Sequence, residues 1–325
     1  MWYPLTFTPL FKERIWGGRT LETLYRKRLP SGVPIGESWE ISDRQGDESV
    51  VANGPLAGTS LHALMRQHAS DLLGRTPPTA DGRFPALCKI LDARERLSLQ
   101  VHPPASRAAA LGGEPKTEMW YIADADPDAE LFVGLKPGVT RAEFEARIAS
   151  GEVADCFHRI PVRAGDAMFL PSGRVHAIGA GLVIFEIQQN SDTTYRVYDW
   201  DRRGPDGHLR ELHIPQSLAS IDFDDVAPSL VQPEPRGGGT AARERLVFDP
   251  VFIVDLMRTG ASRGTTDLPA GAHIIATVNG AAEVVGNDVP LQLAAGQFGL
   301  IPAALRDVQL SLASGTSVLL VSWPT

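Results

Sequence analysis

The stretch that most constrains this chain is Leu97-Ser-Leu-Gln-Val-His-Pro-Pro104, where apolar residues alternate with Ser98, Gln100 and His102. Side chains on a strand repeat every two residues, so the three polar groups share one face. That face is reserved for chemistry. Sixteen positions on from Gln100, Lys116-Thr-Glu-Met-Trp-Tyr-Ile122 has the β-branched and aromatic content of a second strand, with Glu118 near its start. Further along, Gly165-Asp-Ala-Met-Phe-Leu-Pro171-Ser-Gly173-Arg-Val-His176 reads as two short strands joined by a Pro-x-Gly turn. The turn delivers His176 at the start of the second strand.

Two imidazoles, a carboxylate and the Gln100 amide make a borderline donor set that suits zinc, and three or four protein ligands leave a position open for water or substrate. Taken singly, His102 or His176 reads equally well as an ordinary buried or surface histidine. Taken jointly, their spacing favours one divalent ion per chain. A structural zinc site would more often be closed by cysteines, and Cys88 and Cys156 have no Cys-x-x-Cys spacing.

The pattern Gly165-x5-Pro171-x-Gly173-x2-His176 resembles the second motif of cupins, and Gln100-x-His102 followed by Glu118 resembles their first motif with a longer insertion. Gln100 stands where the first histidine is usual, and Ala180 where an asparagine is frequent. Leu-Ser-x-Gln-Val-His-Pro, Lys-Thr-Glu-x-Trp-Tyr-Ile, Pro-Ser-Gly-x-Val-His-Ala and Asp192-Thr-Thr-Tyr-Arg-Val-Tyr-Asp-Trp-Asp-Arg202 together are similar to type I phosphomannose isomerases, in particular the short bacterial form. The resemblance extends from Phe11-Lys-Glu-Arg-Ile-Trp-Gly-Gly18 through Gly36-Glu-Ser-Trp-Glu-Ile-Ser42 to the C-terminal part. It implies a mainly β fold of two cupin-type jelly-roll units, with helical insertions in the first.

It also implies a zinc-dependent aldose-ketose isomerase acting on mannose 6-phosphate and fructose 6-phosphate. His102, Glu118 and His176 would hold the metal, with Gln100 as a weaker fourth ligand. Arg196 is the expected catalytic group, suited by its permanent charge and planar fork to a sugar oxygen or a phosphate. Its bland alternative is a surface ion pair with Asp199 or Asp201. Lys116, Ser98 and Glu37 are the expected substrate contacts, with Trp16 also near the pocket. Pro115 replaces the glycine frequent before this lysine. Alternatives are an isomerase of another aldose or aldose phosphate, a metal-binding cupin that senses sugar without turnover, and an iron cupin oxygenase, which the Arg196 segment fits less well.

The net charge of -8 and the absence of a basic tract argue against nucleic acid as a partner. A small sugar phosphate is expected, bound by positive charge focused locally in a cleft. No run approaches the ~18 apolar residues of a membrane span and no leader pattern is evident, so a cytoplasmic protein is expected, with its oligomeric state open.

Along the chain, residues 1–58 read as short strands and turns. Thr59-Ser60 caps a helix in which His62 and His68, six apart, lie on different faces and are read as solvated. A short helix is expected over Ala105–Leu111 and another after Thr140, ending at Gly151. Gln232-Pro-Glu-Pro-Arg-Gly-Gly-Gly239 is the clearest linker signal. The expected division is therefore a metal-binding unit over 1–225, a linker over 226–245 and a second unit over 246–325. In that second unit Gly296-x5-Pro302-Ala-Ala304-Leu-Arg-Asp307 aligns with the metal turn, with Asp307 in place of His176.

Overall fold

The computed structural model describes residues 2–204, 207–237 and 240–324 of a mainly β chain. It divides into two compact units. One comprises Phe11–Ser38 and Ile90–Leu230; the other comprises Met1–Leu10, Trp39–Lys89 and Val231–Thr325.

One sheet, most of whose residues belong to the unit bearing residues 90–230, runs in the order Leu10–Gly18, Ile35–Ile41, Ala86–Ala93, Leu182–Gln189, Glu118–Ala125 and Ala167–Leu170. The other runs Tyr195–Tyr198, Leu99–Val101, His176–Ile178, Glu130–Leu135 and Phe157–Pro161. Trp16, Trp120, Ile122, Leu131, Val133, Met168 and Ile184, drawn from strands of both sheets, share one buried cluster. That is the filling of a two-sheet sandwich. Leu99 and Val101 instead join a second cluster with Phe132, Phe144, Phe157 and Ile221. Their placement turns Gln100 to the opposite side of its strand, as the alternation requires.

The second cluster is capped by helices. Arg141–Ser150 starts at Thr140, whose Oγ1 accepts the Glu143 N–H at 3.2 Å, and ends at Gly151 with φ of 79°. Its Phe144 is fully buried against Phe157 and Phe223, a burial that stabilises by about 1.5–3 kcal/mol. The expected short helix is Ala105–Ala108, continued as a 3-10 turn over Ala109–Leu111.

The other unit pairs a six-stranded sheet, Glu234–Pro235, Ala242–Phe248, Ile253–Arg258, Ser317–Ser322, His273–Asn279 and Phe298–Ile301, with a four-stranded one, Gly264–Asp267, Gln309–Leu312, Ala281–Gly286 and Val289–Ala294. Its core includes Ile275, Val284, Leu293, Leu310, Val318 and Leu320. The helix Leu61–Leu73 belongs here, with the Ser60 side chain accepting the Ala63 N–H at 3.1 Å.

These units differ from the contiguous division read from composition, because residues 39–89 pack with the C-terminal strands. Within the 226–245 stretch, Glu234–Pro235 pairs antiparallel with Ala242–Phe248; Gly238 and Gly239 lie outside the described residues. Proline is tolerated at a sheet edge, so Pro-rich composition reported a short edge strand as well as a connection. His62 departs from expectation too: its Nδ1 lies 3.1 Å from the buried Asp43 carboxylate, while His68 is half exposed. Lys89 is buried, with Nζ 5.0 Å from the centre of the Trp39 ring.

Candidate metal centre

The strand pairing brings the separated motifs together. His176 lies opposite Gln100 on one neighbouring strand and opposite Val133 on the other. In the facing sheet, Leu170, just before the Pro-x-Gly turn, lies opposite Glu118. The turn itself depends on Gly173, whose φ of +98° is open to glycine but strained for other residues. Its N–H donates to the His102 carbonyl at 2.9 Å. Arg174 then locks the turn, donating to both Asp225 carboxylate oxygens at 2.8 Å and to the Phe169 carbonyl at 2.7 Å.

His102, Glu118 and His176 each present a donor atom within 4.8 Å of the others, and all three are buried. Glu118 lies 3.6 Å from His102 Nε2 and 3.3 Å from His176 Nε2. Each imidazole is fixed from behind. His102 Nδ1–H donates to the Thr193 carbonyl at 2.7 Å and His176 Nδ1–H to the Arg174 carbonyl at 2.9 Å. A carbonyl can only accept, so both rings turn an Nε2 lone pair toward Glu118. Trp120 meets the His176 ring edge-on at 5.3 Å and donates its indole N–H to Glu186 at 2.9 Å.

Protonation states match this arrangement. Burial, together with the Lys116 charge, pushes His102 down, and burial pushes His176 down to about 3, so both are neutral at pH 7. Glu118 is held well below the usual carboxylate range: burial opposes its ionisation, but the adjacent Lys116 charge outweighs it. Lys116 Nζ stands 2.7 Å from Glu118 Oε2 and 3.3 Å from His102 Nε2. Burial works against its charge, yet Glu118 and Glu186 raise its pKa, so it is an ammonium. Despite the Lys116 ammonium beside it, neither Glu118 oxygen has a hydrogen bond of ordinary geometry among the described residues. Two neutral imidazoles and an ionised carboxylate with unused acceptor capacity fit a divalent cation.

Gln100 and Ser98 complete the inner face. Gln100 Nε2 lies 3.3 Å from His176 Nε2, while its Oε1 accepts from Ser98 Oγ at 3.3 Å. Turning the amide over would exchange its nitrogen and oxygen. Arg196 lies directly across the strand pair from Gln100, and cross-strand partners point to the same face. Its Nη1 donates to the Glu211 carbonyl at 2.8 Å, and its Nε is buried without a hydrogen-bond partner among the described residues. Asp199, expected as an ion-pair partner, is taken by Arg202 and Arg210 at 2.6 Å each. Burial and the nearby Arg210 charge lower the Arg196 pKa. Glu37 is placed differently: its carboxylate receives Arg14 Nε at 2.6 Å, outside the three-residue cluster. Trp16 lies in the sandwich core.

A model of the type I phosphomannose isomerase catalytic domain matches residues 5–146. A probable mannose-6-phosphate isomerase, GmuF, of Bacillus subtilis is 36% identical over 329 residues, covering 100% of both chains. The chain belongs to the type I phosphomannose isomerase family. A second Bacillus subtilis family member, the mannose-6-phosphate isomerase ManA, is 44% identical over 225 residues, or 69% of each chain. The crystal structure of mannose 6-phosphate isomerase from Bacillus subtilis superposes with a TM-score of 0.88 at 30% identity, covering 99% of this chain and 100% of that one. As in other proteins of this fold, the chain is mainly β. Among the described residues no helix is long and apolar enough to cross a membrane.

Several groups that shape this phosphomannose isomerase-type centre carry no sequence signal of their own. The Thr193 and Arg174 carbonyls orient the rings through backbone atoms, which every residue possesses. Trp120 was visible only as strand composition. Arg174 had a faint signal, since it sits inside the Pro-Ser-Gly-Arg-Val-His turn and its charge would otherwise be unexplained there.

Proposed function

We propose that this protein is a mannose-6-phosphate isomerase that interconverts mannose 6-phosphate and fructose 6-phosphate, with one zinc ion held by His102, Glu118 and His176. The reading is carried by the convergence of two pinned imidazole Nε2 atoms and one ionised carboxylate in a chain whose full-length relative is named for that activity. Zinc is favoured because neutral imidazole with carboxylate oxygen is a borderline donor set, and a redox-silent ion leaves a reducing sugar intact. When bound, such an ion polarises a carbonyl as a Lewis acid and templates the sugar.

The residues around it have complementary tasks in this reading. Lys116, an ammonium beside Glu118, donates to a sugar oxygen and holds it against the cluster. Gln100 supplies an additional weak ligand, and Ser98 fixes its amide. Arg196 presents its unused Nε donor on the Gln100 face, where it stabilises negative charge as a proton moves between neighbouring sugar carbons. Glu37 contributes through Arg14, by keeping that guanidinium in place at the start of the unit.

The test is a coupled assay of fructose 6-phosphate conversion on protein of measured metal content, run against several aldoses with and without phosphate. Turnover restricted to mannose 6-phosphate and dependent on about one zinc per chain supports the proposal. Stoichiometric zinc without turnover on any aldose would leave a sugar-binding cupin; stoichiometric iron with no isomerisation would point to oxygenase chemistry instead.

A further inference from the structure

The second unit has a cleft at the position where the first has its metal centre. In the first unit Leu170, just before Pro171, pairs with Glu118. In the second, Ile301, just before Pro302, pairs with His273. His273 thus occupies the register of Glu118. The cleft there has a volume of about 590 Å³ and is lined by His273 and Ala303 together with Thr76, Trp323, Arg75 and Arg306. That volume is in the range of small-molecule sites, roughly 300–1,000 Å³.

Its walls are built rather than incidental. The last carbonyls of helix Leu61–Leu73 are occupied by the turn: Ala303 N–H donates to Leu72 at 3.0 Å and Ala304 N–H to Asp71 at 2.8 Å. A Cβ at Gly74 would come within 2.9 Å of Ala303 Cβ, so the helix end and the turn meet closely. Two polar atoms on this lining are buried and have no hydrogen-bond partner among the described residues: Trp323 Nε1 and His273 Nδ1. The two side chains are 7% and 3% exposed. An indole N–H can only donate, so leaving it unmet costs about 1–3 kcal/mol. His273 Nε2 lies 2.8 Å from the Pro269 carbonyl, and the Val321 carbonyl also engages the ring. Burial lowers its pKa, the Pro269 and Val321 carbonyls opposing and Arg243 assisting.

Charge decides the ligand class. Arg75 and Arg306 line the cleft without an ion-pair partner among the described residues, and no described lining residue is a carboxylate. This positive character arises in a chain of net charge -8. Two guanidiniums and an orphan N–H match a group of negative charge ~2 with three acceptor oxygens, the description of a phosphate monoester near neutral pH. We infer that this cleft of the second unit binds a small phosphate-bearing ligand, its oxygens on Arg75, Arg306 and the Trp323 indole N–H. The second unit, whose described residues hold no metal-binding cluster, thereby carries an anion site of its own.

The test reads the Trp323 indole N–H by proton–nitrogen NMR in the zinc-loaded, full-length protein, its resonance assigned with Trp323→Phe. Inorganic phosphate and glycerol 3-phosphate are titrated separately. A saturable shift of that resonance, weakened about tenfold or more in Arg75→Ala/Arg306→Ala, supports the site. Tighter response to the ester than to inorganic phosphate identifies a phosphorylated metabolite, and equal response identifies free phosphate. Turnover of the double variant, whose changed residues lie outside the metal centre, shows that it is folded. No shift with either probe, or an undiminished shift in the double variant, overturns the inference. Arg306→Ala alone provides the same comparison if the double variant is not obtained folded.

Discussion

The N–H of Gly173 donates to the carbonyl of His102 at 2.9 Å, so the turn that delivers one imidazole also anchors the strand end that carries the other. Candidate ligand positions 74 residues apart in sequence are tied together by this backbone hydrogen bond. The bond requires the turn to hold Gly173 at φ of +98°, and a Cβ there would lie 3.3 Å from the Ser220 carbonyl oxygen.

Gly173→Ala is therefore expected to destabilise the fold by about 1–2 kcal/mol from the left-handed backbone alone. It should also weaken zinc binding by about 10–100-fold, as changes behind metal ligands do. Urea melts and competition with a metal indicator measure the two effects. Unaltered stability together with unaltered zinc affinity would show that the turn does not set the ligand geometry.

His102→Ala and His176→Ala should each abolish stoichiometric zinc, since each removes one of the three clustered donors. Gln100→Ala should retain zinc with a smaller loss of affinity, because a neutral amide is a weaker ligand than an imidazole or a carboxylate. Metal analysis after gel filtration reads the outcome. Full zinc in both histidine variants would dissolve the proposed site.

The sequence made the inner face of this centre legible because alternation converts directly into facing: Ser98 and Gln100 follow from Leu99 and Val101 packing on the other side. Legibility ended where backbone atoms or distant pairing decide. Nothing in Thr193 or Arg174 announces a carbonyl behind a ligand histidine. Residues 39–89 could not be assigned to the C-terminal strands from composition, since their partnership rests on contacts distant in sequence, such as the Ala303 and Ala304 N–H groups donating to the Leu72 and Asp71 carbonyls. Asp307, which aligns in sequence with His176, is exposed and takes a left-handed φ of 52°. His62 looked solvated because the buried carboxylate it meets, Asp43, lies 19 residues away.

Acidification should destabilise the metal-free protein in a defined window. The folded pKa of His176 is about 3, whereas an unfolded histidine titrates near 6.5. Between those values the unfolded chain binds the extra proton, so stability is complete above pH ~6.5 and falls as pH drops toward 3. One such histidine removes about 1.4 kcal/mol per pH unit well inside the window. His102, depressed by burial and by Lys116, acts in the same direction. Urea midpoints of chelator-treated protein at pH 7.5 and 5.5 test this. A flat profile between them, or an unchanged slope in His176→Gln, would contradict it.

Arg196 separates a catalyst from a binder. Its side chain lies across from Gln100, keeps a buried Nε without a partner among the described residues, and is not engaged by Asp199, which Arg202 and Arg210 occupy. The surface ion pair that would have explained it is therefore absent among the described contacts, and its unused donor calls for another acceptor. If that acceptor is charge that grows only as the proton moves, Arg196→Ala should lower kcat by about 100-fold or more, the scale of losing one donor to a developing oxyanion, with KM changing little. If Arg196 instead grips the phosphate equally before and during reaction, KM should rise with kcat preserved. Arg196→Lys keeps the charge but loses the planar fork, so it should recover little kcat in the first case and much of the KM in the second. Zinc content and urea midpoints must match the wild type in both variants for the comparison to count. Wild-type kinetics in a folded, zinc-loaded Arg196→Ala would remove the residue from the mechanism and leave its bond to the Glu211 carbonyl as its whole role.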